Sequence, residues 1–235
     1  MPARSRRVPF VAEGRIFYWL LLWLALVLVV APQFENRFGE VIERICLTFV
    51  LVAAVLANRH RRVVFYAGLA VAIFAGPLIW SSMVIDSANV SLTHYSVLIV
   101  FCAFNAGAIL VAVLRDHMAN PRSIAGIICV YLLLGLMWAC AYSAIEYVQT
   151  DPFSIINRRT FHTASLERPM TSFSQFVYFS FVTMSTLGYG DVTPRTVLAE
   201  TATWLQSVTG QFFIAVLVAR LINAFPGPNH PRHET

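Results

Sequence analysis

The chain has 235 residues, 58% of them hydrophobic and 12% charged, where ordinary soluble domains carry about a quarter charged. Its apolar residues come in runs longer than a soluble core of this size needs, which excludes a soluble globular protein and points to the membrane. The net charge of +5 rests on arginine alone, and those arginines sit in short stretches between apolar runs; the basic balance reads as membrane orientation and not as nucleic-acid binding.

A membrane-spanning helix needs about 20 mostly apolar residues. Six segments meet that need in chain order: 16–34, 41–57, 62–80, 95–114, 123–146 and 196–224. The first follows a basic stretch and could be read as a signal peptide, but its apolar run from Ile16 to Ala31 is long for one and "VVAPQ" is a poor small-residue cleavage site. The second is interrupted at its start by Glu43 and Arg44, expected at the headgroup level and paired with each other or with Arg37. With residues 1–15 in the cytoplasm, eleven arginines fall inside and six outside, while three acids fall inside and nine outside. Both termini, including the tail 225–235, are therefore expected on the cytoplasmic side of the plasma (inner) membrane. The cysteines Cys46, Cys102, Cys129 and Cys140 lie inside apolar runs without paired spacing, which indicates neither a disulfide framework nor a metal site.

Residues 16–114 make a four-helix region. A voltage sensor needs several arginines within one membrane segment, since each charge moved is worth about 2.3 kcal/mol per 100 mV. The fourth segment, "YSVLIVFCAFNAGAILVAVL", has none, so weak or no intrinsic voltage gating is expected. Its one strongly polar residue, Asn105, is expected to hold helices together. The histidines of the tail, with His60 and His117 on the same side, are ordinary surface residues or, less economically, internal pH sensors. Residues 147–171 are long for a turn and fit a turret or a plain solvated surface.

Between the fifth and sixth segments lies "SFSQFVYFSFVTMST", residues 172–186, apolar but at about 15 residues too short to span. "LGYGD" follows at once. Non-helical backbone at membrane depth is tolerated only where protein packs around it or where it lines a wet path. Glycine enters left-handed conformations cheaply, so Gly188 and Gly190, flanking Tyr189, allow successive carbonyls to point one way. Such a row can replace the water shell of a bare cation, with the Thr186 hydroxyl at its end.

"TLGYGD", Thr186 to Asp191, resembles the selectivity-filter signature of tetrameric potassium channels of the bacterial type, with one pore loop per chain. "VTMST" before it is similar to the end of that family's pore helix. Pro194, three residues after the aspartate, Gly210, twenty-two after Gly188, and "GQFFIAVLVARLI" fall where the family has its post-filter proline, inner-helix glycine and inner helix. The resemblance covers 123–224 and implies a pore domain there, with pore helix 172–186 and filter 186–191. The expected fold is an all-α membrane protein of six transmembrane helices, with a re-entrant pore helix and selectivity-filter loop between helices five and six. One loop per chain, with no second copy, implies a homotetramer whose partners are its own copies, membrane lipids and potassium ions. No nucleic acid and no cofactor is expected.

By that resemblance the ion-binding residues are Thr186, Leu187, Gly188, Tyr189 and Gly190, and K+ is held by the carbonyls of the first four. Tyr189 would point away from the pore and brace the filter. Leu187 replaces the commoner valine or isoleucine. Val182 stands where some bacterial channels have a glutamate that meets the aspartate after the filter, so that pair cannot form. Tyr178 stands where many members have a tryptophan bonded to that aspartate, which makes a Tyr178–Asp191 contact the substitute; a lipid-facing or core tyrosine is the other reading. On the sixth helix Gly210 is either a bend or a point of close packing, and Gln211 faces the cavity or bonds the pore helix. Ile214, Val218 and Ile222 recur every four residues and form either a hydrophobic gate or an ordinary packing stripe. The function implied is passive, potassium-selective conduction without enzymatic activity. A weakly selective cation channel and a nonconducting or regulatory subunit that keeps the pore fold are the alternatives.

Overall fold

The computed structural model of the chain describes residues 11–30, 37–57, 62–84, 87–115, 121–155 and 173–224. The expected turret beyond residue 155, the tail 225–235, His60, His117 and the side chains of Arg37, Glu43, Cys46 and Ile222 lie outside what is described.

Among the described residues, seven helices and two short strands follow in order: α1 (Val11–Val30), α2 (Arg37–Ala57), α3 (Arg62–Val84), α4 (Ala88–Arg115), α5 (Pro121–Val148), β1 (Phe153–Ile155), α6 (Phe173–Met184), β2 (Val192–Pro194) and α7 (Val197–Ala224). Each long apolar segment of the sequence becomes one helix. Among the described residues, three stretches are long and apolar enough to cross a membrane: Ala88–Leu114, Ser123–Val148 and Val197–Ala219.

Helices α1, α2, α4 and α5 start earlier than hydropathy suggests. Helix α4 begins at Ala88 rather than 95, because its polar first turns satisfy themselves: Ser91 N–H donates to the Ser87 carbonyl and the Thr93 hydroxyl to Asn89. An apolar window sees only the membrane-deep middle of such a helix. Helix α2 likewise runs through Glu43 and Arg44. The Arg44 guanidinium crosses to α3 and donates to the Ile79 carbonyl, a partner that sequence pairing by charge does not foresee.

Helices α4 and α5, joined by a short connection, share the most extensive interface; α3 covers α4, and α1 bridges α2 and α5. A single core runs through both halves, from Leu24, Val50 and Phe101 to Leu133, Leu136 and Tyr142. Cys102, Cys129 and Cys140 are buried in it, none of them in a disulfide. Helix α6 lies against α5 on one side and α7 on the other.

The all-α expectation misses one feature. Strands β1 and β2 pair antiparallel, Phe153 opposite Pro194 and Ile155 opposite Val192. Three residues are too few for an alternating pattern to register in a sequence. Pro194, which has no N–H to give, sits at the end of the ribbon, where its loss of a donor is harmless. Arg195 N–H extends the connection by donating to the Pro152 carbonyl at 2.8 Å, and the Thr196 hydroxyl donates to the Gln149 side chain.

Candidate functional site

Helix α6 has 12 residues and so measures about 18 Å, short of the roughly 30 Å of a hydrocarbon core. Its chain then leaves helical geometry in a fixed order. Ser185 N–H still donates to Phe181; Thr186 N–H donates to Thr183 at 3.1 Å; Leu187 N–H reaches the Val182 carbonyl at 3.0 Å and Gly188 N–H the same oxygen at 3.5 Å. The last carbonyls of α6 are thus capped by amides of its own following loop. In a trans peptide the carbonyl lies opposite the amide hydrogen. With N–H of Leu187 and Gly188 turned into α6, the carbonyls of Thr186 and Leu187 face the opposite way, out of the protein.

Backbone handedness alternates along the same loop. Thr186 has φ +61°, Gly188 +54° and Gly190 +76°, while Leu187 and Tyr189 between them keep negative φ. A strand with φ of one sign throughout alternates its carbonyls; alternation of sign gathers them on one side. The two glycines take the dihedrals expected of them. Thr186 was not foreseen as left-handed, and for a β-branched residue that conformation costs about 1–2 kcal/mol. Its N–H bond to Thr183 and its hydroxyl bond to the Ser185 carbonyl, 2.6 Å, hold it there. Every residue from Ser185 to Gly190 is exposed on the single chain, Leu187 and Tyr189 by 58% and 66%.

The far end of the loop is tied to the middle of α6. Tyr178 Oη donates to Asp191 Oδ2 at 2.8 Å, and the other carboxylate oxygen accepts from Val192 N–H at 3.1 Å. The tyrosine–aspartate contact foreseen from the sequence is therefore present. Val182 is buried and contributes its carbonyl, not its side chain, to the loop.

Behind α6 the packing is aromatic. Tyr142 of α5 lies among Phe153 of β1 and Phe176 and Phe179 of α6, with ring centroids 5.0–6.3 Å apart, and Phe153 itself sits 5.1 Å from Phe176. The ribbon thereby plugs one aromatic ring into the space between α5 and α6.

Two glycines allow the close approach. A Cβ on Gly210 of α7 would lie 2.8 Å from the Met184 carbonyl oxygen, so this residue is a packing point; of the two readings of Gly210, close approach is the one the geometry carries. A Cβ on Gly135 of α5 would lie 2.4 Å from the Phe181 ring. Nothing in the sequence singled out Gly135, which looks like any glycine in an apolar run.

Sequence reading also missed a buried polar chain. Gln206 of α7 is wholly buried; its Oε1 accepts from Tyr142 Oη, and its Nε2 donates to the Ser180 carbonyl at 3.0 Å and to Ser180 Oγ at 2.7 Å. Ser180 Oγ in turn donates to the Gly135 carbonyl at 2.6 Å. Gln211, which the sequence offered for this role, is exposed. Ile214 is half-buried and Val218 exposed on α7. Asn105 is buried and donates to the Phe101 carbonyl of its own helix at 2.9 Å.

Residues 127–226 match the family model described as Ion channel. Over 97 residues, 41% of this chain, the sequence is 33% identical to Potassium channel K1 of Plasmodium berghei (strain Anka); the chain spans 4% of that relative's length. The family match takes in most of α5, then β1, α6, the glycine loop, β2 and α7, the elements that build this site. Residues 127–226 of this membrane protein are therefore similar to an ion-channel domain.

Proposed function

We propose that four copies of the chain surround one axis and conduct potassium passively and selectively through the loop 186–190. The observation that carries this reading is the alternation of backbone handedness at Thr186, Gly188 and Gly190, with the N–H groups of Leu187 and Gly188 turned into α6. A row of carbonyls on one side of an exposed loop is what a dehydrated cation needs. Thr186, Leu187, Gly188 and Tyr189 supply the coordinating carbonyls, Gly190 the turn out of the row, and Tyr178, Val182 and Asp191 its support.

The same loop argues for assembly. One chain offers one wall of carbonyls, and backbone exposed at membrane depth must be covered by protein or line water. The apolar side chains that α7 leaves uncovered, Trp204, Phe212 and Val216 among them, are the surface on which neighbouring copies and lipid would lie. Helix α6 enters and returns on the outer side, its C-terminal end aimed at the ion path, where its partial negative charge favours a cation. The face of Ile214 and Val218 narrows the cytoplasmic end. With no arginine in α4 before Arg115 at its last position, voltage has little to act on.

Uptake of ⁸⁶Rb+ into proteoliposomes loaded with KCl tests the reading beside vesicles loaded with NaCl. Uptake driven by trapped potassium, absent with sodium and lost in Gly188→Ala, is the expected result. Equal uptake with either ion would replace potassium selectivity by general cation permeation, and no uptake would favour a nonconducting subunit.

A further inference from the structure

The buried chain Tyr142–Gln206–Ser180–Gly135 crosses three helices. Gly135 and Tyr142 are two turns apart on α5 and so share a face. Ser180 is at the middle of α6, and Gln206 is on α7. Every side chain in the chain is buried, Gln206 and Ser180 completely. The assignment of the Gln206 amide is forced: the Ser180 carbonyl can only accept, so the nitrogen must face α6, which leaves the oxygen for Tyr142.

The attachments of α6 and its loop are of three kinds. Tyr178, in mid-helix and two residues before Ser180, holds Asp191. At the C-terminal end the Met184 carbonyl rests on Gly210. Contacts of the second kind are apolar packing and tolerate sliding along the helix. The first joins α6 only to its own loop and fixes nothing relative to the other helices. Only directional bonds at the middle set both the depth and the rotation of α6 against α5 and α7. Ser180 is two residues from Val182, whose carbonyl receives the Leu187 and Gly188 amides. A rotation of α6 that broke the Gln206 bonds would therefore turn the very oxygen that orients the loop carbonyls.

We infer that Gln206, with Tyr142 and Ser180, is a positioning element for the ion path: it locks α6 in the rotation at which the loop carbonyls gather on one side. This rests on the reading of that loop as a potassium filter. The lock predicts a specific defect when it is removed. The tetramer and its helices persist through their apolar packing and the aromatic cage, while the loop loses its preferred arrangement and holds potassium less well.

Hydrogen–deuterium exchange of the full chain in proteoliposomes, read over a range of potassium concentrations, tests it with Gln206→Leu, close in volume and without polar atoms. In the variant, peptides covering 179–190 should exchange about tenfold faster than in the unsubstituted chain, and about tenfold more potassium should be needed to protect them. Peptides from α2 and α3 should be unchanged. Ser180→Ala and Tyr142→Phe remove one or two bonds each, should shift the same peptides in the same direction by less, and keep the test open if Gln206→Leu fails to assemble. Unchanged exchange over 179–190 in all three variants would overturn the lock. If potassium protects the unsubstituted loop no better than sodium, the potassium reading fails, while the comparison between chain and variant still decides the positioning role.

Discussion

The four-helix region α1–α4 and the region α5–α7 use their polar side chains differently. In α2 and α4 the hydroxyls of Thr48, Thr93 and Ser96 and the amide of Asn105 donate to the carbonyl four residues earlier in the same helix. These bonds hide a polar group from lipid and fix no neighbour; Arg44, which crosses from α2 to the Ile79 carbonyl of α3, is the exception. In α5–α7 the side chains of Tyr142, Ser180, Gln206 and Tyr178 bond across elements or onto the loop. Apolar packing suffices to gather helices, because it is strong and without direction. Holding a backbone loop in an alternating, partly left-handed form requires directional contacts on it and behind it.

Substitutions can break this contrast, beginning where the effect is largest. Gly188→Ala should remove nearly all ⁸⁶Rb+ uptake, about tenfold or more, while the proposed tetramer survives detergent chromatography: the position is sterically open on the single chain but its φ of +54° disfavours any side chain. Gly210→Ala places a Cβ against a backbone oxygen that cannot swing aside, and should cost about 1–3 kcal/mol, seen as a lower thermal midpoint and reduced flux. Gly135→Ala meets the Phe181 ring, which can rotate, so its loss should be smaller than that of Gly210→Ala in the same melt. Tyr178→Phe removes a hydrogen bond at a partly exposed site and should cost about 1 kcal/mol, felt as faster exchange around Asp191. At the far end of the scale, Thr93→Val and Ser96→Ala in α4 should leave both flux and melting within a few tenths of a kcal/mol of the starting protein. A large loss of flux in either would undo the contrast.

What the sequence makes legible follows the range of the interaction. The φ signs of Gly188 and Gly190 are local necessities of Gly-Tyr-Gly, and they are found. The Tyr178–Asp191 contact spans 13 positions but rides on a motif with a fixed geometry, and it too is found. The Gln206 bonds span 26 and 64 positions, and no local pattern separates that glutamine from Gln211. Gly135 is opaque for the same reason: its importance lies in a phenylalanine on another helix. Thr186 hides differently, because a β-branched residue argues against positive φ until the amides of the turn are seen bound to α6. The strand pair escapes because three residues on each side leave no periodicity to read.

The central claim is that the loop carbonyls select potassium. Currents through the reconstituted protein in a planar bilayer, with potassium on one side and sodium on the other, test it directly through the reversal potential. Reversal far toward the potassium equilibrium potential, with that preference collapsing in Gly188→Ala, is the predicted result. Reversal near zero across the potassium–sodium gradient would contradict it, and would leave the alternating loop as an opening for cations in general.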